Sequence, residues 1–221
     1  MAAALILSFT PVETCTLAGF FKALTSRLGG DAEPLDEPTI QRLVEGARAG
    51  DRDAAQRLYR QNVDRVFRTV RGMLRSDAEA EDVTQDAMLA VLTSLDRYSP
   101  REGVRFAAWV ASVATNTARR RFRRRRPELT ETGELPDVPD EQAQPERELD
   151  TARERVALLR ALAELAPAER EMVSLRYGAE LNASEIAKLT KLAPANVRKI
   201  LERTRERLGA RIASLLKGTI A

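Results

Sequence analysis

Histidine is absent from this chain, and cysteine occurs once, at Cys15. The first absence excludes Ser-His-Asp catalysis, histidine general bases and every zinc site that needs an imidazole. The second excludes an intramolecular disulfide and a Cys-rich metal site, and it suits a reducing compartment. Long apolar runs are missing too: no stretch reaches the roughly 18–20 residues needed to span a bilayer. The apolar start "MAAALILSFTPVETCTLAGFF" lacks a basic n-region, and Pro11 and Glu13 interrupt it, so it reads as an extension and not as a signal peptide. Neither charge dominates, with 36 basic residues against 33 acidic ones and a net charge of +3. With so small an excess, the arrangement of charge matters more than its total.

What the chain does have is helical periodicity, in 221 residues that allow one large domain or two small ones. After a break at Gly29, Gly30 and "DAEPLDEP", the segment "TIQRLVEGARAG" sets Ile40, Leu43, Val44 and Ala47 on one face. The next segment repeats the pattern with Leu58, Val66, Phe67, Val70 and Leu74. Period-2 alternation is weak, and alanine, leucine, arginine and glutamate dominate, so the expected class is all-α. Ser76 with Glu79 three residues later forms an S-x-x-E capping box and predicts a helix start. The apolar side of that helix carries Val83, Ala87, Ala90 and Val91, and Glu79, Asp82 and Asp86 form an acidic stripe opposite. Such a stripe has no use against phosphates and calls for a basic protein partner. "YSPREGV" breaks the chain, and "FAAWVASVATNTARRRF" resumes a helix with Phe106, Trp109, Val110 and Val113 as its buried candidates.

Seven of the eight residues from Arg119 to Arg126 are arginine, with Phe122 the single exception. Charge then reverses. Residues 127–150 hold Pro127, Pro136, Pro139 and Pro145, nine acidic residues and one basic residue, without an apolar face, which predicts a flexible acidic linker. A second helical block follows, with Val156, Leu159 and Leu162 or Ala163 on one face. Pro167 suits the first turn of its next helix and Gly178 the end of that helix. Asn182 caps a short helix with Glu185 at its third position and Ile186 and Leu189 facing inward. A tight turn through Lys191, Leu192 and Ala193 leads to Pro194 and a longer helix that buries Val197, Leu201 and Leu208. Short helix, tight turn and longer helix make a helix-turn-helix. The exposed side of the second helix carries Asn196, Arg198, Lys199, Arg203 and Arg205, an amide and cations suited to base edges and phosphates.

Taken in order, "EDVTQDAML", "FAAWVASVATNTARRRF", "ALAELAPAEREMVSLRY" and "SEIAKLTKLAPANVRKILERTRERL" resemble the motifs of a bacterial RNA polymerase sigma factor of the extracytoplasmic-function type. The resemblance runs from Thr39 to Arg211. It implies an all-α protein of two small helical domains joined by the acidic linker: an extension over 1–36, a polymerase-binding, −10-reading and melting domain over 37–126, the linker over 127–150, and a −35-reading helix-turn-helix domain over 151–221. It implies that Asp82, Gln85 and Asp86, with Glu79 on the same stripe, dock on the clamp of core RNA polymerase, and that the polymerase flap is a second contact. It places Asn116 beside the unpaired −10 base, with Arg101, Arg105, Trp109, Arg119 and Arg120 around it. Trp109 is either a stacking platform or a core residue, and its phase with Phe106 and Val113 favours the core. Asn196, Arg198, Lys199 and Arg203 would read the −35 element. No cofactor and no metal are implied, the chain would act in the cytoplasm without catalytic chemistry of its own, and an anti-sigma factor or another regulator would mask it.

Three departures stand out. Ile200 falls where relatives often carry a basic residue, Ala193 is a poor N-cap, and the loop "SPREGVR" is longer than usual. The rival reading is a helix-turn-helix regulator of duplex DNA that does not serve as the initiation subunit. An enzyme with an appended DNA-binding domain is disfavoured, because the N-terminal block has no phosphate loop and no plausible metal cluster.

Overall fold

The computed structural model describes residues 35–74, 76–100, 103–125 and 146–217. Among them, eight α-helices form and no β-strand does. The N-terminal group is α1 (Glu37–Arg48), α2 (Arg52–Met73), α3 (Asp77–Thr93) and α4 (Phe106–Arg125). The C-terminal group is α5 (Glu146–Ala163), α6 (Pro167–Val173), α7 (Ala183–Thr190) and α8 (Pro194–Lys217). A 3-10 turn at Leu95–Arg97 follows α3, and a π-helical turn at Ser174–Gly178 extends α6. The predicted extension up to residue 34 and the linker from 126 to 145 lie outside the described residues.

Local chemistry starts most of the helices. Asp36 accepts the Thr39 N–H at 3.1 Å, and Asp51 accepts the N–H groups of Asp53 and Ala54 at 2.9 and 3.2 Å. Ser76 caps α3 by accepting the Glu79 N–H at 3.1 Å, as the S-x-x-E spacing predicts. Asn182 accepts from Ser184 and Glu185, and the Glu185 carboxylate accepts the Asn182 N–H at 2.9 Å, a complete capping box. The N-terminus of α4 is capped from outside its own segment: the Phe106 N–H donates to Glu37 of α1 at 3.1 Å. Pro167 opens α6 and Pro194 opens α8. Lys191 ends α7 in the left-handed conformation at φ 60°, which makes the tight turn of the helix-turn-helix.

Two features differ from the sequence expectation. The linker assigned to 127–150 gives up its last residues, because α5 already begins at Glu146. The helix read from "FAAWVASVATNTARRRF" does not stop at Phe122 but continues as α4 as far as Arg125.

A first core joins α1 to α4 through Val44, Leu58, Val66, Val70, Val83, Met88 and Phe106. It does not stop at the N-terminal helices. Leu158, Leu162, Leu165, Val173 and Leu208 from the C-terminal group belong to the same buried cluster. A second core holds the helix-turn-helix together with Met172, Leu175, Leu181, Ile186 and Val197, and two residues of α4, Ala108 and Ala111, enter it. Each domain therefore completes the other's apolar burial, at about 25 cal/mol per Å² of apolar surface removed from water. Buried Arg170 closes the end of α5 by donating to the carbonyls of Leu162, Ala163 and Leu165 at 2.9, 2.6 and 3.0 Å.

Candidate nucleic-acid and partner interface

On α3 the apolar side points inward, with Ala80, Val83, Thr84, Ala87, Met88 and Val91 buried. The opposite side presents Asp82, Gln85 and Asp86 to solvent, with Glu79 half-buried one turn before them. Leu89 follows on the same side and is 63% exposed. Asp82 lies 3.8 Å from Arg121 of α4, so the acidic stripe and the arginine run are neighbours in space. Both side chains are largely exposed, which keeps such a pair weak and open to exchange for another charge.

The long helix α4 has three faces. Phe106, Val110, Ala114 and Ala118 point into the first core. Ala108, Ala111 and Thr115 are buried along a second line, and Ala108 and Ala111 pack into the core of the helix-turn-helix. The third face carries Asn116 and Arg120, both exposed, and half-buried Trp109. The Trp109 ring lies 5.3 Å from Tyr98 and 5.5 Å from Phe106, centroid to centroid, within an aromatic cluster. Trp109 packs partly buried against the first core. Asn116 accepts from Arg119 at 3.5 Å. Of the loop residues expected to join this face, Arg101 lies outside the described residues and Arg105 is turned elsewhere.

Arg105 grips Glu185 of α7 in a two-point ion pair, Nε to Oε1 and Nη2 to Oε2, both at 2.8 Å, and also donates to the Glu180 carbonyl at 3.0 Å. Burial alone would push the Glu185 carboxyl up, but the bonds from Arg105 and the Asn182 N–H outweigh it and hold it below its ordinary value. Hydrogen bonding to Glu185 in turn raises the Arg105 guanidinium. Four turns along α4, Arg119 makes a similar two-point pair with Glu171 of α6, its Nε 2.9 Å from Oε2 and its Nη2 on Oε1. Two cations expected to meet DNA are thus held by carboxylates of the C-terminal domain. At the outer end of α4, Phe122 is 47% exposed and lines a cavity of about 290 Å³ with Met73, Ala118, Arg123 and Pro167.

On α8, Asn196, Arg198, Lys199 and Arg203 are all exposed near the N-terminal half. Among the described residues, no ion pair engages those three cations. Further along the same helix, Arg207 and Arg211 are used internally: they bind Glu169 at 2.5 Å and Glu164 at 2.6 Å. Ile200 is half-buried against the helix-turn-helix core, so its apolar character serves packing.

Residues 58–128 match the family model for Sigma-70 region 2, and residues 155–208 match that for Sigma-70, region 4. The chain is 32% identical over 165 residues to the RNA polymerase sigma factor CarQ of Myxococcus xanthus, covering 75% of this chain and 92% of that protein. The chain belongs to the extracytoplasmic-function sigma factors. Members of this family direct promoter-specific transcription initiation, and this chain carries both of their conserved modules in order. The sigma factor is also 34% identical to BldN of Streptomyces coelicolor over 156 residues, which span 70% of this chain and 58% of that longer protein. Its fold is that of CnrH solved with the cytosolic domain of CnrY, with a TM-score of 0.57 at 22% identity, over 78% of this chain and 96% of that one. RpoE of Bartonella quintana, solved with the anti-sigma factor NepR, shares the fold with a TM-score of 0.56 at 18% identity, over 73% and 96% of the two chains.

Sequence reasoning overlooked the residues that join the two modules of this sigma factor. Glu180 bonds Arg68 at 3.1 Å and lies 3.7 Å from Arg65, Lys188 donates to the Gly103 carbonyl at 3.2 Å, and Gly178 lies against the backbone of Thr69. Partners separated by 85 to 115 positions leave no periodic trace. Glu185 did have a sequence signal, but the capping box accounted for it fully.

Proposed function

We propose that this sigma factor docks on core RNA polymerase through the α3 stripe of Asp82, Gln85 and Asp86, and reads its promoter with two separate helices. The observation that supports the docking face is an exposed acidic row with apolar Leu89 at its end, on a helix whose other side is fully buried. Asn116, Arg120 and half-buried Trp109 take the −10 strand once it is unpaired, where bases can be stacked and read on their edges. Arg105 and Arg119 join them on the phosphates. Asn196, Arg198, Lys199 and Arg203 enter the −35 major groove, as the second helix of a helix-turn-helix does. The domain limits that follow are 37–126 and, with the start of α5 at Glu146, 146–221. The protein has no chemistry of its own; it acts in the cytoplasm, where the polymerase makes the bonds. CnrH and RpoE were each captured with a protein that binds them, and a regulator of the same kind, an anti-sigma factor, is the expected partner here.

The deciding experiment is transcription in vitro with core polymerase from a promoter recovered by selection. Initiation should require this protein and fail in the D82K/D86K variant. The rival, a duplex-DNA regulator, predicts that the same variant binds DNA and acts unchanged. Asp82 and Asp86 are exposed, so the reversal should leave the fold intact.

A further inference from the structure

Helix α1 contributes no group to the proposed DNA or polymerase faces, yet its two ends hold the backbone that leads into α4. Glu37 and Arg48 are eleven positions apart, about 16 Å along a helix. At one end, Arg48 donates from Nε and Nη2 to the Leu95 carbonyl at 3.1 and 2.7 Å, and Nη2 also donates to the Tyr98 carbonyl. Tyr98 is the C-cap of the 3-10 turn Leu95–Arg97, and carbonyls at a helix end need donors from outside their own turn. Asp96 lies 4.0 Å from the same Nε with its side chain 88% exposed, so the carbonyls and not that pair fix the guanidinium. At the other end of α1, the Glu37 carboxylate accepts the Phe106 N–H at 3.1 Å. A helix leaves its first N–H groups without an internal acceptor, and Arg105, the residue before Phe106, has no acceptor in its side chain. A carboxylate also suits the positive end of the helix dipole.

The two residues whose backbones are held in this way meet through their side chains. Tyr98 and Phe106 are both buried, and their rings pack edge to face at 4.9 Å. The Trp109 ring rests on both, at 5.3 and 5.5 Å. Burial and the Glu37 charge push the Tyr98 hydroxyl up while Arg48 pulls it down, so both ends of α1 act on the same ring. Further contacts to this stretch come from the C-terminal domain, through Lys188 to the Gly103 carbonyl and Glu185 to Arg105. Glu37 and Arg48 hold it from within the N-terminal domain. A planar guanidinium serves two carbonyls at once, which a lysine ammonium, a point donor, does less well.

We propose that Glu37 and Arg48 are positioning residues for promoter opening: from the two ends of α1 they fix the backbones of Phe106 and Tyr98, and through those two rings they set Trp109 against the −10 strand. The proposal rests on the assignment of α4 as the −10 helix. The position of the Trp109 ring is itself a property of the free chain and can be read without DNA or polymerase.

Trp109 is the single tryptophan of the chain, so its fluorescence reports this ring alone. The test compares full-length E37A, E37Q, R48M and R48K. E37A removes the acceptor and E37Q keeps one; R48M keeps the stem without a donor and R48K keeps the charge with one donor group. The control V66A removes buried volume from the same core without touching either backbone contact. Acrylamide should quench Trp109 more strongly in E37A and R48M than in the parent, with a red shift of emission. E37Q should return both readings to the parent value, and R48K should return them in part. With core polymerase on the selected promoter, E37A and R48M should keep the parent's affinity for core and for the closed complex. Their closed-to-open equilibrium should fall about tenfold, the equivalent of one lost hydrogen bond to a charged group. E37Q should open as the parent does, and V66A should melt at a lower temperature yet open normally where it is folded. If opening, core affinity and melting temperature instead fall together in all of these variants, V66A included, the two residues are only structural and the proposal is overturned. Unchanged Trp109 quenching in both E37A and R48M overturns it as well. If quenching rises while opening stays at the parent level, N116A shows which idea fails. A defective N116A keeps the −10 assignment and rejects the positioning role, and an N116A that opens fully rejects the assignment itself.

Discussion

Glu180 reaches Arg68 at 3.1 Å from a backbone at φ 57°, a conformation that glycine or asparagine adopts far more readily. Only one other non-glycine residue among those described, Lys191 in the helix-turn-helix turn, has a positive φ. Arg68 is buried, and its Nε also donates to the Gly178 carbonyl at 3.3 Å. The neighbouring Arg65 guanidinium is pushed down by burial, and Glu180 offsets part of that effect. The carboxylate is therefore what the position retains, and backbone strain of about 1 kcal/mol is what it costs.

Two substitutions at Glu180 should separate these terms. E180A keeps the left-handed strain and strips buried Arg68 and half-buried Arg65 of their carboxylate. E180G also strips them but relieves the strain. Both should melt lower than the parent, with E180A less stable than E180G by about 1 kcal/mol. Equal melting temperatures for E180A and E180G would show that the backbone at this position is unstrained.

Gly178 has a different reason to be glycine. It does not adopt a positive φ, so no turn demands it. A Cβ placed there would come within 2.8 Å of the Thr69 backbone N and Cα and 2.9 Å of the Arg68 carbonyl carbon. Backbone cannot step aside as the end of a side chain can. G178A should cost about 1–3 kcal/mol of stability or separate the two domains. Thermal melting together with a distance measured between spin labels in the two domains reads both outcomes, and a variant unchanged in both would mean that the contact is not made in solution.

This glycine also shows where the sequence stops being informative. Placed after an apolar helical segment, it looks like a helix end, because C-terminal glycines usually supply the left-handed cap. Its actual role is fixed by Thr69, more than a hundred positions earlier. Ser76 and Asn182 were legible because a cap and its N–H lie two or three residues apart. The α3 stripe was legible because α-helical spacing alone decides which side each residue takes. Ala108 and Ala111 were not, since alanine carries almost no sidedness in a sequence and its value here is the close approach of another domain. Arg105 and Arg119 were recognised as cations, but nothing local names the carboxylates that hold them.

Asn116 and Arg120 allow melting to be separated from assembly. Both are exposed on α4. N116A should leave the fold and the affinity for core polymerase unchanged while reducing open-complex formation, read by permanganate reactivity of unpaired thymines. R120A should weaken promoter binding at all sequences and reduce the salt slope by about 1, as loss of a phosphate contact does. Equal promoter opening by N116A and the parent would move the −10 contact off this residue.

The pH dependence of the packing between the two domains turns on Glu185. The groups that face it are Arg105, just before α4, with Glu37 of α1 and Glu180 acting on the same guanidinium. Burial pushes the Glu185 carboxyl up, yet the Arg105 and Asn182 hydrogen bonds prevail, so its folded-state pKa lies below the ordinary value of 4.5. A depressed carboxyl contributes stability that is fully present above the unfolded pKa and is lost as pH falls through the folded one. That packing should therefore be insensitive to pH near neutrality and loosen on acidification below 4.5. Melting temperatures taken from neutral pH down through that window should fall for the parent chain and fall less steeply for E185Q, which has no proton to take up. E185Q should start lower at neutral pH, since it has already lost the charged pair, so the two curves converge toward the acid end. Parallel curves would mean that Glu185 is not ionised through its pairing with Arg105.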